Sequence, residues 1–149
     1  GNSSKKGDDA SYLSLASPRA AKKYGLKPLA RIKSYAECGG GDPKNFIVEP
    51  VCAVRMALDA ADLSFSKIGS FWINEAFPGS PLNFMKSGIP WEILNPCGGA
   101  IAFGHALGAT GAVLPIGAIC QGRKEKIKYA VVSLCNAIDK ATAMVLEIL

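Results

Sequence analysis

The sequence predicts an α/β domain in which a mixed sheet packs against helices. Two observations support this prediction: segments typical of strands alternate with segments typical of helices along most of the chain, and two strand-like segments follow each other at its end. The last two strands are predicted to be antiparallel, because only a short loop separates them. A length of 149 residues and a hydrophobic content of 49% are enough for one domain with a substantial core.

Four elements are predicted in the first half of the chain, after a polar loop over residues 1–9. Alternating small and apolar residues predict a strand over residues 10–16. A serine cap followed by proline predicts a helix over residues 18–24, which ends at a glycine. An apolar stretch predicts a second strand over residues 29–36, and apolar residues at helical spacing predict a second helix over residues 48–61.

The second half is predicted to contain three strands and one helix. A short apolar strand spans residues 68–73, and a proline-rich turn follows it. A glycine-rich segment over residues 95–104 then leads into a helix of small residues over 108–120. Residues 129–135 read as a buried strand, and residues 141–149 as the final strand.

The charge pattern argues against nucleic-acid binding. The net charge is +5, and the lysines are spread along the chain. The densest run, residues 123–128, is interrupted by an acidic and an apolar residue, so a solvated turn is favoured over a phosphate-binding patch. We therefore expect no nucleic-acid partner.

One uncharged segment is long enough to cross a bilayer. No Asp, Glu, Lys or Arg lies between Glu92 and Arg123. That stretch nevertheless contains asparagine, histidine, glutamine, two prolines and many glycines. A buried core element is favoured over a transmembrane helix, and no membrane span is expected.

The cysteines indicate a reducing environment. There are five of them, at wide spacings and without a C-x-x-C pair. We therefore expect most of them to be small buried residues, and the protein to be intracellular, with the cytoplasm favoured over mitochondria or another organelle. With a single histidine and no ligands clustered along the sequence, no metal site is expected.

The strongest local signal is the glycine-rich segment over residues 95–111, Asn-Pro-Cys-Gly-Gly-Ala-Ile-Ala-Phe-Gly-His-Ala-Leu-Gly-Ala-Thr-Gly. Glycines at this density let a backbone approach a ligand closely. The segment holds His105, the only histidine of the chain, just before a predicted helix. A histidine displayed at a turn beside a helix N-terminus and a histidine with a purely structural role are both compatible with this pattern.

Several motifs resemble those of the thiolase family. The segment above is similar to the thiolase signature Asn-x-x-Gly-Gly-Ala-Ile-Ala-x-Gly-His, which usually continues Pro-x-Gly-x-Ser/Thr-Gly. Residues 74–77, Asn-Glu-Ala-Phe, match another thiolase motif, and residues 1–4, Gly-Asn-Ser-Ser, resemble the family's Gly-Asn-x-Ser loop. Residues 27–32 look like the crossover between its two domains. The motifs occur in family order, and the resemblance covers essentially the whole chain.

The resemblance implies a thiolase-like layered fold made of two parts. Residues 1–28 would be the loop, last strand and helix of the N-terminal thiolase domain, and residues 29–149 would be the C-terminal domain. It also implies a dimer or tetramer, either homo- or hetero-oligomeric, that acts in lipid metabolism.

The resemblance further implies site residues. His105 matches the histidine that activates the acylated cysteine of thiolases, and Asn74 matches the asparagine that holds a water in an oxyanion hole. Cys135 matches the second cysteine, a general acid and base, although a buried cysteine at a strand end is the plain alternative. Ser4, Ala137 and Phe77 are the residues expected to bind coenzyme A. Coenzyme A and its acyl thioesters would be substrates, and no permanently bound cofactor is expected.

Three features depart from the family pattern. The acylated cysteine, which lies in the N-terminal half of thiolases, has no counterpart here, so a partner carrying that half is expected. The loop after Cys135 reads Asn-Ala-Ile-Asp-Lys, whereas thiolases usually have several glycines there. A loop without glycine is less able to place a backbone N–H, such as that of Ala137, in an oxyanion hole. Ala106 replaces a proline, which is a mild change.

Two functions follow from these observations. The first is the C-terminal subunit or fragment of a thiolase that transfers acyl groups between coenzyme A thioesters, by Claisen condensation or thiolysis. The second is a catalytically inert thiolase-like subunit with a structural or regulatory role. Intact Asn74, His105 and Cys135 favour the enzyme, whereas the altered loop favours the inert subunit.

Overall fold

The computed structural model describes residues 2–136 and 140–149. The strands are β1 (Ala30–Gly39), β2 (Ser70–Ile73), β3 (Tyr129–Asn136) and β4 (Lys140–Ile148). The helices are α1 (Pro18–Lys23), α2 (Glu49–Ala60), α3 (Gly79–Lys86), α4 (Ala100–Phe103) and α5 (Thr110–Glu125). The order of these elements confirms the α/β class.

The four strands form one mixed sheet in the order β1-β4-β3-β2. Strand β4 runs antiparallel to both of its neighbours, β1 and β3. Strand β2 runs parallel to β3. The predicted mixed sheet and the antiparallel pair at the end of the chain are therefore confirmed.

Alternating side chains on the strands divide the core into two layers. On β2, Phe71 and Ile73 belong to the apolar cluster that packs around α2, whereas Trp72 belongs to the cluster around α5. On β3, Val131 faces α2 and Val132 faces α5 in the same way. The sheet thus lies between α2 on one face and α5 on the other, which is the predicted layered arrangement.

Helix α1 forms where its caps predict it. The Ser17 hydroxyl accepts a hydrogen bond from the Ala20 N–H at 3.1 Å, and Pro18 is the first helical residue. Gly25 follows the helix with a φ of +62°, a conformation that glycine adopts without strain. The helix therefore depends on local signals.

The predicted strand over residues 10–16 is wrong, because these residues belong to no strand within the described chain. Tyr12 and Leu15 are 83% and 81% exposed. A strand needs a neighbour for its backbone N–H and C=O groups, and none of the described residues provides one along this segment.

Other boundaries differ because tertiary contacts decide them. Helix α3 occupies a segment that was predicted as a proline-rich turn and an unassigned stretch, and its Phe84 is completely buried beside Phe71. Helix α5 extends to Glu125, beyond the predicted end at residue 120, and strand β1 continues to Gly39 through its pairing with β4. In the part of the chain that the structure covers, no helix has the length and apolar character needed to cross a membrane.

We predict that Gly117→Ala destabilises the domain by about 1–3 kcal/mol, because the packing is already tight. A Cβ at this position of α5 would collide with the indole ring of Trp72 on β2. Gly111→Ala is the matched control on the same helix, because no atom lies within 4 Å of its added Cβ. Alanine is also the better helix former, so this control should leave stability equal or higher by up to about 1 kcal/mol. Urea denaturation checks both, and equal midpoints would contradict the packing of α5 on Trp72.

Candidate active site

The candidate residues gather at the carboxyl ends of the two parallel strands. Asn74 directly follows β2, and Cys135 is the second-last residue of β3. The Asn74 backbone N–H donates to the Ser133 carbonyl at 2.9 Å, which continues the parallel ladder by one residue. Loops at this edge of an α/β sheet are a common place for ligand sites.

Asn74 and His105 are brought together by the fold. The Asn74 Nδ2 atom donates to the His105 Nε2 atom over 3.5 Å, a long contact. Asn74 is only 3% exposed, and its Oδ1 atom has no hydrogen-bond partner among the residues described above. A buried polar oxygen usually accepts a hydrogen bond, so this atom is suited to hold a water molecule or a substrate group.

Thr110 sets the proton position on the imidazole of His105. The Thr110 Oγ1 atom donates its one hydrogen to the Ala106 carbonyl at 2.8 Å, and it lies 2.8 Å from His105 Nδ1. With the hydroxyl hydrogen on that carbonyl, Nδ1 carries the ring proton and donates to Thr110. In the neutral ring of this tautomer, the Nε2 lone pair accepts the long contact from Asn74, and Nε2 is the nitrogen able to act as a base.

The N-terminal loop supports the histidine from the other side. The His105 backbone N–H donates to the Lys5 carbonyl at 2.8 Å. Gly104, with a φ of +101°, packs its backbone against Gly7, and a Cβ at Gly104 would lie 3.2 Å from the Gly7 Cα. Two glycines thus allow this close approach. His105 does not lie in the predicted turn but pairs with Lys6 in an isolated parallel β-bridge, and a turn over residues 107–109 leads into α5.

Ser4 and Phe77 both lie next to Ala76, two residues after Asn74, Phe77 along the chain and Ser4 through hydrogen bonds. The Ser4 backbone N–H and its hydroxyl both donate to the Ala76 carbonyl at 3.2 Å. Phe77 is 45% exposed, and its ring makes an edge-on contact with Phe46 at 5.8 Å between centroids. The structure therefore groups Ser4, Asn74 and Phe77 at one edge of the sheet. Ala137 lies outside the described residues.

Two further buried residues organise the site and were not predicted from the sequence. The Asn95 side chain accepts from the Ile73 N–H at 2.7 Å and donates to the Ile73 carbonyl at 2.9 Å. It also donates to Glu75 Oε1 at 2.7 Å, and Glu75 Oε2 accepts from the Ile101 N–H at 3.2 Å. The only sequence signal for these hydrogen bonds was that Asn95 and Glu75 belong to the two recognised motifs.

Cys135 is half-buried, and its environment favours the protonated thiol. Burial raises the pKa of this thiol above the ordinary value of 9.0, and a contact with the Ser80 hydroxyl lowers it by a smaller amount. The buried Ser80 hydroxyl makes no hydrogen bond of ordinary geometry with any described residue, so its contact with the sulfur is weak. At neutral pH the thiol is therefore protonated and able to act as an acid.

The chain matches the family model described as thiolase, C-terminal domain, over residues 26–148. It is 39% identical over 147 residues to a probable acetyl-CoA acetyltransferase of Dictyostelium discoideum, covering 98% of this chain and 35% of that protein. It is 36% identical over 149 residues to the 3-ketoacyl-CoA thiolase of Bacillus subtilis, covering 99% of this chain and 38% of that protein. The chain thus spans about a third of the length of these relatives.

Solved structures of thiolases and of an acetyl-CoA acetyltransferase are also similar to this chain. A crystal structure of human mitochondrial 3-ketoacyl-CoA thiolase superposes with a TM-score of 0.86 at 35% identity, covering 90% of this chain and 34% of that chain. The same human enzyme in complex with CoA superposes equally well. The acetyl-CoA acetyltransferase of Bacillus anthracis matches with a TM-score of 0.84 at 33% identity, covering 89% of this chain and 34% of that chain.

We predict that His105 is protonated on Nδ1 when it is neutral, because Thr110 has its hydrogen committed to a carbonyl. Nitrogen-15 chemical shifts check this directly, since the chain has one histidine. Thr110→Val removes the acceptor and should abolish the preference for this tautomer, whereas Ser66→Ala, an exposed hydroxyl on another segment, should not. A wild-type ring protonated on Nε2 would contradict the assignment.

We predict that alkylation of Cys135 by iodoacetamide has its pH midpoint above 9.0, because burial raises its pKa. Ser80→Ala should move the midpoint further up, since the Ser80 contact lowers this pKa. Ser87→Ala, an exposed hydroxyl at the other end of α3, is the control and should leave it unchanged. Peptide mass spectrometry after timed labelling gives the profile, and a midpoint below 9.0 would contradict the buried thiol.

Proposed function

The chain belongs to the thiolase family, and we propose that it supplies the acid–base side of an acyltransferase site that moves acyl groups between coenzyme A thioesters. The observation that carries this proposal is the pair formed by Asn74 and His105. The Nε2 atom of the imidazole faces the buried amide of Asn74, whose oxygen lacks a partner in the described chain. This pair combines a base with a place for an oriented water.

His105 is proposed to activate a nucleophilic cysteine. Its Nε2 atom takes the thiol proton, and the thiolate forms a bond to the carbonyl carbon of an acyl-CoA. The bond between that carbon and the CoA sulfur then breaks. The protonated imidazole and a water held by Asn74 donate hydrogen bonds to the oxygen of the second thioester when it develops negative charge.

Cys135 is proposed to move the other proton. Its raised pKa keeps the thiol protonated at rest, so that it gives its proton to the departing CoA sulfur. The resulting thiolate is a strong base and takes a proton from the α-carbon of the second thioester. That carbon attacks the acyl-enzyme, which releases the cysteine and forms the new carbon–carbon bond. Thiolysis runs through the same steps in reverse.

Ser4, Phe77 and Ala137 are proposed to bind coenzyme A. Ser4 is anchored to Ala76, and the exposed ring of Phe77 offers an apolar surface at the same edge of the sheet. Coenzyme A enters as a substrate and is not permanently held. The crystal structure of the human mitochondrial relative in complex with CoA is consistent with this assignment.

The nucleophilic cysteine is proposed to lie outside this chain, in a partner or in another part of a longer polypeptide. The support is that two thirds of the length of the matched relatives has no counterpart here. The division into residues 1–28 and 29–149 is retained as a proposal, supported by the family match that begins at residue 26. Oligomeric assembly is proposed by analogy alone, and an intracellular location is supported by the free thiols of the five cysteines.

The second candidate function is an inert thiolase-like subunit. The observation that favours it is the sequence after Cys135, Asn-Ala-Ile-Asp-Lys, which lacks the glycines typical of the family. The two candidates make opposite predictions about acylation.

We predict that the chain, purified together with its natural partner segment, is acetylated by acetyl-CoA on a cysteine outside residues 1–149. Intact-mass spectrometry detects the adduct, which free coenzyme A should remove. His105→Ala should slow adduct formation by about 10²–10⁴-fold, because general-base catalysis contributes that much. Cys135→Ala should lower the rate of acetoacetyl-CoA formation by a similar factor.

Cys120→Ala is the control for both variants, because this cysteine is exposed on α5, and it should change neither rate. An assembly that contains the partner segment, binds coenzyme A and is never acetylated would overturn the enzymatic proposal and support the inert subunit.

A further inference from the structure

A cluster of three possible metal ligands lies where β1 ends and α2 begins. Cys38 is the second-last residue of β1, Glu49 is the first residue of α2, and Cys52 follows one helical turn later. Cys38 Sγ lies 2.9 Å from Glu49 Oε2, and one ligand atom from each of the three residues lies within 4.8 Å of the others. The sequence alone showed no such cluster, and folding creates it.

We propose that Cys38, Glu49 and Cys52 form a binding site for a borderline-soft divalent cation of the Zn²⁺ type. Two cysteine sulfurs and one carboxylate oxygen are a ligand set that Zn²⁺ accepts. Because Cys52 is exposed, the fourth position is open to a water molecule or to an exchangeable ligand.

The spacing fits such an ion with small movements. Zn–S and Zn–O bonds of about 2.3 Å and 2.1 Å place tetrahedral ligand atoms about 3.6–3.8 Å apart. The three ligand atoms already lie within 4.8 Å, so rotation of the side chains can reach this geometry. Cys38 Sγ and Glu49 Oε2, which lie 2.9 Å apart, have to separate by less than about 1 Å to reach it.

Two rigid elements hold the ligands. Glu49 and Cys52 are three residues apart on α2 and therefore share a helix face. Cys38 is held in register by its pairing with Ala141 on β4. Ligands on a helix and a strand are placed more accurately than ligands on loops, so the site is largely preformed.

The helix start favours the charged forms of these ligands. The free backbone N–H groups in the first turn of α2 carry partial positive charge, which stabilises a carboxylate and a thiolate nearby.

The cluster is separate from the candidate active site. Cys38 and Cys135 both pair with Ala141, one from each side of β4, so their side chains point to the same face of the sheet. Two strand spacings separate them, about 10 Å. The metal site therefore shares no residue with the proposed acyltransferase site.

The test uses the full chain in the assembly in which it is purified, reduced and stripped of metal. Titration with Co²⁺ should produce a sulfur-to-cobalt charge-transfer band that saturates at one equivalent per chain, and Zn²⁺ should displace it. Cys38→Ser and Cys52→Ser should each weaken Zn²⁺ binding by at least about 10-fold. Glu49→Gln keeps the shape of the side chain and should weaken binding while preserving the sulfur band.

Cys97→Ser and Cys120→Ser are matched controls, because both cysteines are exposed and lie outside the cluster. They should bind one equivalent with wild-type affinity. Cys52 is also exposed, so its variant is expected to fold, and circular dichroism checks this for every variant. Equal binding by Cys52→Ser and Cys120→Ser would overturn the site, as would a reduced wild-type chain that shows no sulfur band with Co²⁺.

Discussion

The site depends on the Asn95 side chain, which forms hydrogen bonds with the outer edge of β2 as a neighbouring strand would. Beside β2, on the side away from β3, Asn95 bonds both backbone groups of Ile73, and its own N–H bonds the carbonyl of Phe71. Asn95 has a φ of +46°, a conformation that asparagine tolerates better than most residues. The backbone at the end of β2 is thus satisfied on both edges, and the next residue, Asn74, is held in one orientation.

Asn95 also links the two motifs on either side of the site. Its side-chain amide donates to Glu75, whose carboxylate also accepts from the backbone at the start of α4. Gly99 lies directly against this carboxylate, and a Cβ there would collide with it. Because Glu75 is buried, the loss of either hydrogen bond to its carboxylate would destabilise the fold. The segment that carries His105 is therefore fixed relative to the segment that carries Asn74.

Local patterns predicted the elements that depend on local forces. The serine cap and the closing glycine define α1, and a continuous apolar run predicted β3, which is buried on both faces of the sheet. The strand over residues 10–16 was wrong because strand formation requires a neighbour, which a local pattern cannot supply. Helix α3 was missed because the burial of Phe84, rather than its caps, stabilises it.

The sequence by itself determined the four strands of the mixed sheet, helices α1, α2 and α5, and the two motifs that contain Asn74 and His105. The tertiary structure alone placed Thr110 beside Nδ1 of His105 and Asn74 beside Nε2. It alone brought Cys38 to Glu49 and Cys52, because the pairing of β1 with β4 and the packing of α2 set that distance. The physical reason is that a motif specifies residues close in sequence, whereas hydrogen bonds and ligand clusters depend on distances between elements.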